Sequence, residues 1–193
     1  KDLGYENGLV PIKEGVYVKV PVFSFSKLTK VDITLGPEMK STGEVMGKDL
    51  TLEKALYKGL IGAGRKMPLH GAFLFTVSDK EKEEASHLAK RLFDMGFRIW
   101  ATEGTAKYFE SKGITTKIGY KIHEGDVNLI DLIQKGKVQY VVNTTKSGKQ
   151  SERDGFQIRR SSVENGVPCF TSMDTVAALV KVIESMNFKM EAM

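Results

Sequence analysis

The sequence has a single cysteine and no long apolar run. Its one cysteine, Cys169, excludes an internal disulfide and any metal site built from clustered cysteines. No apolar run approaches the roughly 20 residues that cross a bilayer, and the first residues, Lys1 to Gly4, lack a starting methionine and the apolar core of a signal peptide. We therefore expect a fragment of a cytoplasmic protein, with Cys169 buried in a strand.

The charged residues are mixed in sign, and the histidines are scattered. The net charge is +5, but lysines alternate with acids, as in residues 79–84, so no stripe for nucleic acid is formed. No two of His70, His87 and His123 have the spacing of metal ligands. We expect no nucleic-acid, membrane or metal partner, whereas the net positive charge is compatible with a small anionic ligand.

The N-terminal quarter has no helical period. Residues 1–48 contain strand-like and glycine-rich stretches with too little apolar material to form a core of their own. Residues 49–66 then predict a helix followed by a linker, because apolar residues recur near a 3.6-residue spacing. The predicted apolar positions of this helix are Leu50, Leu52, Ala55, Leu56, Leu60 and Ile61.

Residues 67–193 alternate regularly between strand and helix patterns. This alternation predicts an α/β fold with a three-layer, Rossmann-like open sheet of about five parallel strands. The predicted strands cover residues 71–77, 97–100, 115–118, 138–142 and 168–171. Ser78 and Asp79 are expected to cap the helix after the first strand. A polar loop over residues 146–155 is expected to precede a short helix near residues 159–164.

The turn at residues 100–106 (WATEGTA) is the first candidate site. It joins a predicted strand to a helix and places Thr102, Gly104 and Thr105 in the first helical turn. Backbone N–H groups there lack intrahelical partners and the helix dipole is positive, so the turn suits a phosphate. The alternative is an ordinary helix start, with Thr102 as the capping residue.

Other polar residues are predicted at the same sheet edge. Lys82 falls in the first turn of a helix, where it either overhangs the sheet edge or is solvated. Asn143, Thr144 and Thr145 follow the fourth strand, as a binding site or a capped turn. Arg159 and Arg160, placed near a helix start, either reach an anion or are solvated. Asp126 is either a catalytic carboxylate or, as the capping preference of aspartate favours, the N-cap before Val127.

Several motifs resemble the large subunit of carbamoyl-phosphate synthetases. Residues 21–27 (PVFSFSK) and 31–47 (VDITLGPEMKSTGEVMG) are similar to the end of that family's second ATP-grasp half. Residues 101–106 (ATEGTA), 121–125 (KIHEG), 143–145 (NTT) and 158–160 (IRR) resemble its C-terminal allosteric domain, which shares a fold with methylglyoxal synthase. The resemblance divides the chain into an ATP-grasp tail at 1–48, a helix and linker at 49–66, and a methylglyoxal-synthase-like allosteric domain at 67–193.

The resemblance implies a non-catalytic domain that binds a nucleotide effector such as UMP, IMP or phosphoribosyl pyrophosphate. It assigns the phosphate to Lys82, Thr102 and Thr105, with Gly104 in the same turn, and the sugar and base to Lys121, Asn143, Thr144 and Thr145, with Ile158 beside them. The fragment itself would hold no cofactor. Its parent would be an ATP-dependent ligase that uses ATP and Mg, pairs with a glutaminase small subunit, and serves pyrimidine and arginine synthesis. Ornithine-responsive members carry an acid and a tyrosine where Val20 and Cys169 stand here, so ornithine activation is not implied.

The alternative is a stand-alone methylglyoxal synthase acting on dihydroxyacetone phosphate. That enzyme needs a carboxylate base and a histidine beside the phosphate pocket to move protons on its substrate. Asp126 matches the position of the base, but residues 146–155 contain no histidine. The motifs of residues 21–47 also have no counterpart in that enzyme.

Overall fold

The computed structural model describes residues 13–25, 33, 37–120, 128–144 and 149–187, the side chains of residues 149–152 excepted. The strands are β1 Val16–Phe23, β2 Ser41–Asp49, β3 Ala72–Thr76, β4 Arg98–Ala101, β5 Thr116–Ile118, β6 Tyr140–Asn143 and β7 Cys169–Phe170. The helices are α1 Leu52–Gly62, α2 Lys82–Asp94, α3 Glu103–Ser111, α4 Leu129–Gln134, α5 Lys149–Glu164 and α6 Met173–Asn187, and a 3₁₀ turn at Asp79–Glu81 precedes α2.

Five parallel strands form the main sheet in the order β5-β4-β3-β6-β7. Alternate residues of a strand face opposite sides of a sheet. Phe73 and Phe75 accordingly pack among residues of α2, α3 and α6, whereas Leu74 packs among residues of α4 and α5. Every residue of β3 is buried, which is why this strand is a continuous apolar run in the sequence. The predicted three-layer α/β fold is confirmed.

The strand order reverses at β3. The chain passes from β3 to β4 on one side, whereas β6 lies next to β3 on the other side. In an open parallel sheet such a reversal leaves a crevice outside the carboxyl ends of the strands. Backbone hydrogen bonds hold the loops there: Thr102 N donates to the Phe75 carbonyl and Thr144 N donates to the Thr76 carbonyl, both at 3.3 Å. The crevice is therefore framed by the ends of β3, β4 and β6.

The N-terminal part is an antiparallel pair, β1 and β2, covered on one face by α1. The helix approaches closely because glycines meet there: a Cβ on Gly47 would lie 2.0 Å from the Ala55 carbonyl oxygen, and one on Gly59 would lie 2.6 Å from Val20 Cγ2. Helix α1 also contacts α6, which joins this part to the main sheet. The predicted domain boundaries stay a prediction.

The apolar face predicted for α1 is partly wrong. Leu50, Leu52 and Ile61 are 78%, 56% and 45% exposed, and the buried residues of the helix are Ala55 and Gly59. Helix α1 starts at Leu52 rather than at residue 49, since β2 runs on to Asp49. Contact through small residues allows the helix backbone to approach the strands, and this leaves the larger leucines at its start outside the interface.

The start of α5 and the cap of α4 differ from prediction. Helix α5 begins at residue 149, so much of the predicted polar loop at 146–155 is helical. The N-cap of α4 is Asn128, not Asp126; its Oδ1 accepts from the N–H groups of Ile130 at 2.9 Å and Asp131 at 3.0 Å. A later cap is favoured because Asp131 Oδ2 accepts from Asn128 N in return, which completes a capping box.

Ser78 and Cys169 also differ from expectation. The Ser78 side chain accepts no hydrogen bond from the following turn, and its hydroxyl instead donates to the carboxylate of Glu81. Cys169 is only partly buried, because β7 is the outer strand of the sheet. Among the described residues, none of the helices has the length and hydropathy of a membrane span.

Candidate functional site

A pocket of about 350 Å³ lies in the crevice at the carboxyl ends of the strands. The structure brings seven of the predicted site residues to its lining: Lys82, Thr102, Gly104, Thr105, Asn143, Thr144 and Ile158. Lys121 and Thr145 fall outside the described residues, as do His123 and Asp126. The pocket thus collects groups from the loops after β3, β4 and β6.

One end of the pocket is the N-terminus of α3. Thr102 is the N-cap residue, but its side chain accepts no hydrogen bond from the first turn. Its hydroxyl donates instead to Thr105 Oγ1 at 3.2 Å. Glu103 and Gly104 line the pocket, and N–H groups at the first positions of a helix have no intrahelical acceptor. The alternative that Thr102 caps the helix through its side chain is therefore wrong, and this end can accept an anion.

Lys82 stands across from that helix end. Its Nζ lies 3.5 Å from the position that a Cβ on Gly104 would occupy, and it pairs with Asp79 Oδ1 at 2.8 Å. The Lys82 side chain is only 16% exposed, so it is not the solvated surface lysine of the alternative interpretation. An ammonium and a positive helix end consequently face the same gap.

The floor of the pocket is a chain of buried hydrogen bonds. Arg159 Nη1 donates to Asn143 Oδ1 at 2.8 Å, and Asn143 Nδ2 donates to Thr76 Oγ1 at 2.7 Å. Thr76 Oγ1 in turn donates to the Val142 carbonyl at 3.2 Å. All three polar residues are buried, and each bond compensates the cost of removing those groups from water. The chain holds Asn143 in one orientation.

Thr144 joins two of the loops around the pocket. Its hydroxyl accepts from Ser78 N at 3.0 Å, so the loop after β6 is tied to the loop after β3. Sequence reasoning predicted Thr144 but not this contact, because the two residues are 66 positions apart. The bond sets the width of the crevice at this side.

Arg159 and Arg160 are neither solvated nor near a helix start. Both lie in the second half of α5, whose first residue is 149. Arg159 is buried against Asn143. Arg160 donates from Nη1 to the Phe25 carbonyl at 3.2 Å and pairs through Nε with Glu164 Oε1 at 2.7 Å. Arg159 thus contacts a residue that lines the pocket, Asn143, without lining the pocket itself, whereas Arg160 bonds to Glu164 and the Phe25 carbonyl.

Sequence reasoning missed several lining residues. They include Thr76, Tyr120, Leu129 and Asp154. Thr76 ends β3, but the predicted strand ran on to residue 77, so the strand-end argument applied to Thr102 and Asn143 did not reach it. Asp154 had no such signal, because it lies on a part of α5 predicted to be a loop. Apolar Ile118, Leu129 and Ile158 give the pocket a wall that suits the carbon skeleton of an organic ligand.

A second set of polar contacts ties α2 to α3 outside the pocket. The Tyr108 hydroxyl donates to the Glu83 carboxylate, and Lys112 Nζ lies 3.3 Å from Glu83 Oε2. The hydrogen bond from Tyr108, and next that from Lys112, lower the pKa of Glu83 below its ordinary value. The same bond raises the pKa of Tyr108. These contacts hold together the two helices that carry Lys82 and Thr105.

The part of the chain that contributes most of the pocket residues matches a known family model. Residues 84–171, from the first turn of α2 to the residue after β7, match the family model described as the MGS-like domain. Six of the lining residues named at the start of this subsection lie in that range, and Lys82 lies two positions before it. The match shows that residues 84–171 are similar to MGS-like domains. The order and direction of the five parallel strands agree with the Rossmann-like fold of such domains.

Proposed function

We propose that the pocket binds the phosphate of a nucleotide effector of the UMP class, and that this domain is regulatory rather than catalytic. The observation that carries the proposal is the gap between Lys82 and the start of α3. There an ammonium, two hydroxyls and the positive end of a helix face one another. A phosphate placed in this gap gains charge-assisted hydrogen bonds of about 1.5–3 kcal/mol each.

In this proposal the phosphate contacts Lys82, Thr102 and Thr105. The sugar and base extend toward Asn143 and Thr144, and Lys121 and Thr145 are assigned there by family resemblance. Two observations favour a nucleotide over free phosphate. The pocket has room for more than an anion, and its apolar wall, with Ile158, can contact a base.

We further propose that the chain is the C-terminal part of a carbamoyl-phosphate synthetase large subunit, in the cytoplasm. The support is the resemblance of residues 21–47 to the end of an ATP-grasp half, combined with the similarity of residues 84–171 to MGS-like domains. In that protein the ATP and Mg chemistry and the contact with the glutaminase small subunit would belong to other parts. The effector pocket would tune the supply of carbamoyl phosphate for pyrimidine and arginine synthesis.

The same pocket would admit dihydroxyacetone phosphate if the chain were a methylglyoxal synthase. We expect no methylglyoxal above the buffer rate when the protein is incubated with that substrate, because residues 146–155 offer no histidine. The assay is colorimetric detection of the product. Turnover that disappears in Asp126→Asn would replace the regulatory proposal with the enzymatic one.

The phosphate site is tested by ligand-induced thermal shift. UMP, IMP, phosphoribosyl pyrophosphate and dihydroxyacetone phosphate are compared on the wild type, Lys82→Ala and Lys80→Ala. Lys80 is the matched control, because it is exposed in the same turn and does not line the pocket. At 100 times its dissociation constant, a ligand stabilises the fold by about 2.7 kcal/mol.

We expect Lys82→Ala to abolish most of the shift produced by the nucleotide, while Lys80→Ala retains it. The unliganded Tm should change little, since the Asp79 partner of Lys82 is 79% exposed and a pair with an exposed partner contributes about 0–1 kcal/mol. An undiminished shift in Lys82→Ala would place the phosphate elsewhere. A wild type that none of the four ligands stabilises would refute the proposed function itself.

A further inference from the structure

Arg159 is a charged side chain buried below the pocket, and the proposed function gives it no role. It is 5% exposed and lies on the inner side of α5. Its Nη1 donates to Asn143 Oδ1 at 2.8 Å. Burying a guanidinium is costly unless its donors are satisfied, so this contact calls for an explanation beyond packing.

The hydrogen-bond chain at the pocket floor has a fixed direction. A guanidinium can only donate, so the atom of Asn143 that faces it must be the carbonyl oxygen. At the other end, the Val142 carbonyl can only accept, so Thr76 uses its one proton there and accepts from Asn143 Nδ2. An amide flip would break both bonds of Asn143.

Gly155 makes room for this arrangement. A Cβ at position 155 would lie 2.9 Å from Arg159 Nη1 and 3.5 Å from Asn143 Oδ1. The first distance is shorter than side-chain carbons tolerate, so a methyl group there would push the guanidinium aside. A glycine within α5 costs helix stability, and here it permits the approach of Arg159 to Asn143.

We propose that Arg159 is a positioning residue: it turns the amide of Asn143 so that the second N–H of Nδ2 is presented to the pocket that Asn143 lines. Within the described residues, no side chain or carbonyl takes this second N–H. The pocket then requires a hydrogen-bond acceptor on the ligand at this point, such as a carbonyl or hydroxyl oxygen or an unprotonated ring nitrogen. An amino group there would find only another donor. The inference rests on the proposed function, because it states what the nucleotide must offer to the same pocket.

The first test needs no ligand. In ¹⁵N-labelled protein, the side-chain amide signals of Asn143 are assigned by their loss in Asn143→Asp. We expect one amide proton shifted downfield by its bond to Thr76, and we expect the pair to move toward free-amide values in Arg159→Met. Arg159→Lys keeps a group that only donates and should restore the wild-type pattern in part. Unchanged signals in Arg159→Met would overturn the inference.

The second test separates the amide from the phosphate end. Calorimetry with UMP and with inorganic phosphate is carried out on the wild type, Arg159→Met, Arg159→Lys and the control Arg160→Met. Arg160 lies next in sequence on α5 and bonds to Glu164 and the Phe25 carbonyl instead. We expect Arg159→Met to raise the dissociation constant of UMP roughly tenfold, which corresponds to the loss of one hydrogen bond. The dissociation constant of inorganic phosphate should change less than twofold.

Equal weakening of UMP and phosphate in Arg159→Met would show a merely structural role and overturn the inference. If that variant does not fold, the Asn143 amide signals are recorded in Gly155→Ala instead, because its methyl group displaces the guanidinium without removing the charge. Affinity is not compared in that variant, since Gly155 lines the pocket. Arg160→Met should leave both ligands unaffected. A wild type that does not bind UMP would refute the proposed function, and the amide signals would still decide the role of Arg159.

Discussion

Gly104 offers a test in which stability and binding change in opposite directions. A Cβ at this position would meet Lys82 Nζ at 3.5 Å, an ordinary contact distance, and among the described residues no other atom outside its own helix and chain neighbours lies within 4 Å. Alanine therefore fits the free protein. Replacing a helical glycine by alanine stabilises by up to about 0.5–1 kcal/mol, which for a chain of this size raises Tm by about 1–4 °C.

The same methyl group would occupy the gap in which the phosphate is proposed to lie. It would keep a phosphate oxygen from the N–H of residue 104 and from Lys82, at the cost of a hydrogen bond of about 1.5–3 kcal/mol. That corresponds to a dissociation constant roughly 10 to 100 times higher. At a ligand concentration 100 times the wild-type constant, stabilisation falls from about 2.7 to between about 1.4 and 0.4 kcal/mol.

Differential scanning fluorimetry with and without UMP measures both effects on one sample. Gly104→Ala should melt at or above the wild-type temperature without ligand and should retain half or less of the ligand-induced shift. Gly43→Ala is the control, because a Cβ there meets nothing within 4 Å and Gly43 does not line the pocket. A full ligand-induced shift in Gly104→Ala would show that no phosphate lies between Lys82 and α3.

Two further predictions concern the fold. Gly47→Ala should destabilise the packing of α1 on the strands by about 3 kcal/mol, because its Cβ would lie 2.0 Å from a backbone oxygen of α1. Hydrogen exchange of the β2 amides measures this loss, and unchanged protection would contradict the close approach of α1. Tyr140→Phe removes a hydroxyl that donates to the Pro68 carbonyl at 2.9 Å and should cost about 1–1.5 kcal/mol in urea denaturation. Burial raises the pKa of Tyr140 above its ordinary value of 10.0. Above that pH only the unfolded state ionises, so the free energy of unfolding of the wild type should fall as pH rises further. Tyr140→Phe should lose less stability over the same range, and an equal loss would refute the assignment of this pH dependence to Tyr140.

The sequence by itself determined the layered fold and the edge at which the pocket lies. Strands buried on both faces must be apolar throughout, and the helices between them show one apolar stripe, so both patterns can be recognised within a few neighbouring residues. Polar residues directly after such strands, as at Thr102 and Asn143, then lie at one edge of the sheet. This is a consequence of parallel strand direction and requires no long-range contact.

Only the tertiary structure decided how far α5 extends. Its first half is polar and has Gly155 near its middle, so local propensity favours a loop. The helix is stabilised by burial of Ile158 and Arg159 against the sheet, an interaction that local sequence does not reveal. For the same reason Asp154 and Gly155 were not predicted to line the pocket.

The orientation of the polar groups also depended on tertiary contacts. Asn143 is 67 positions from Thr76 and 16 from Arg159, and the bonds among them form only after α5 has packed on β6. Sequence position shows which groups reach the sheet edge, but not which atom of each group faces the ligand. That choice is made by partners distant in the chain, because a buried donor or acceptor must be satisfied by whatever folding brings beside it.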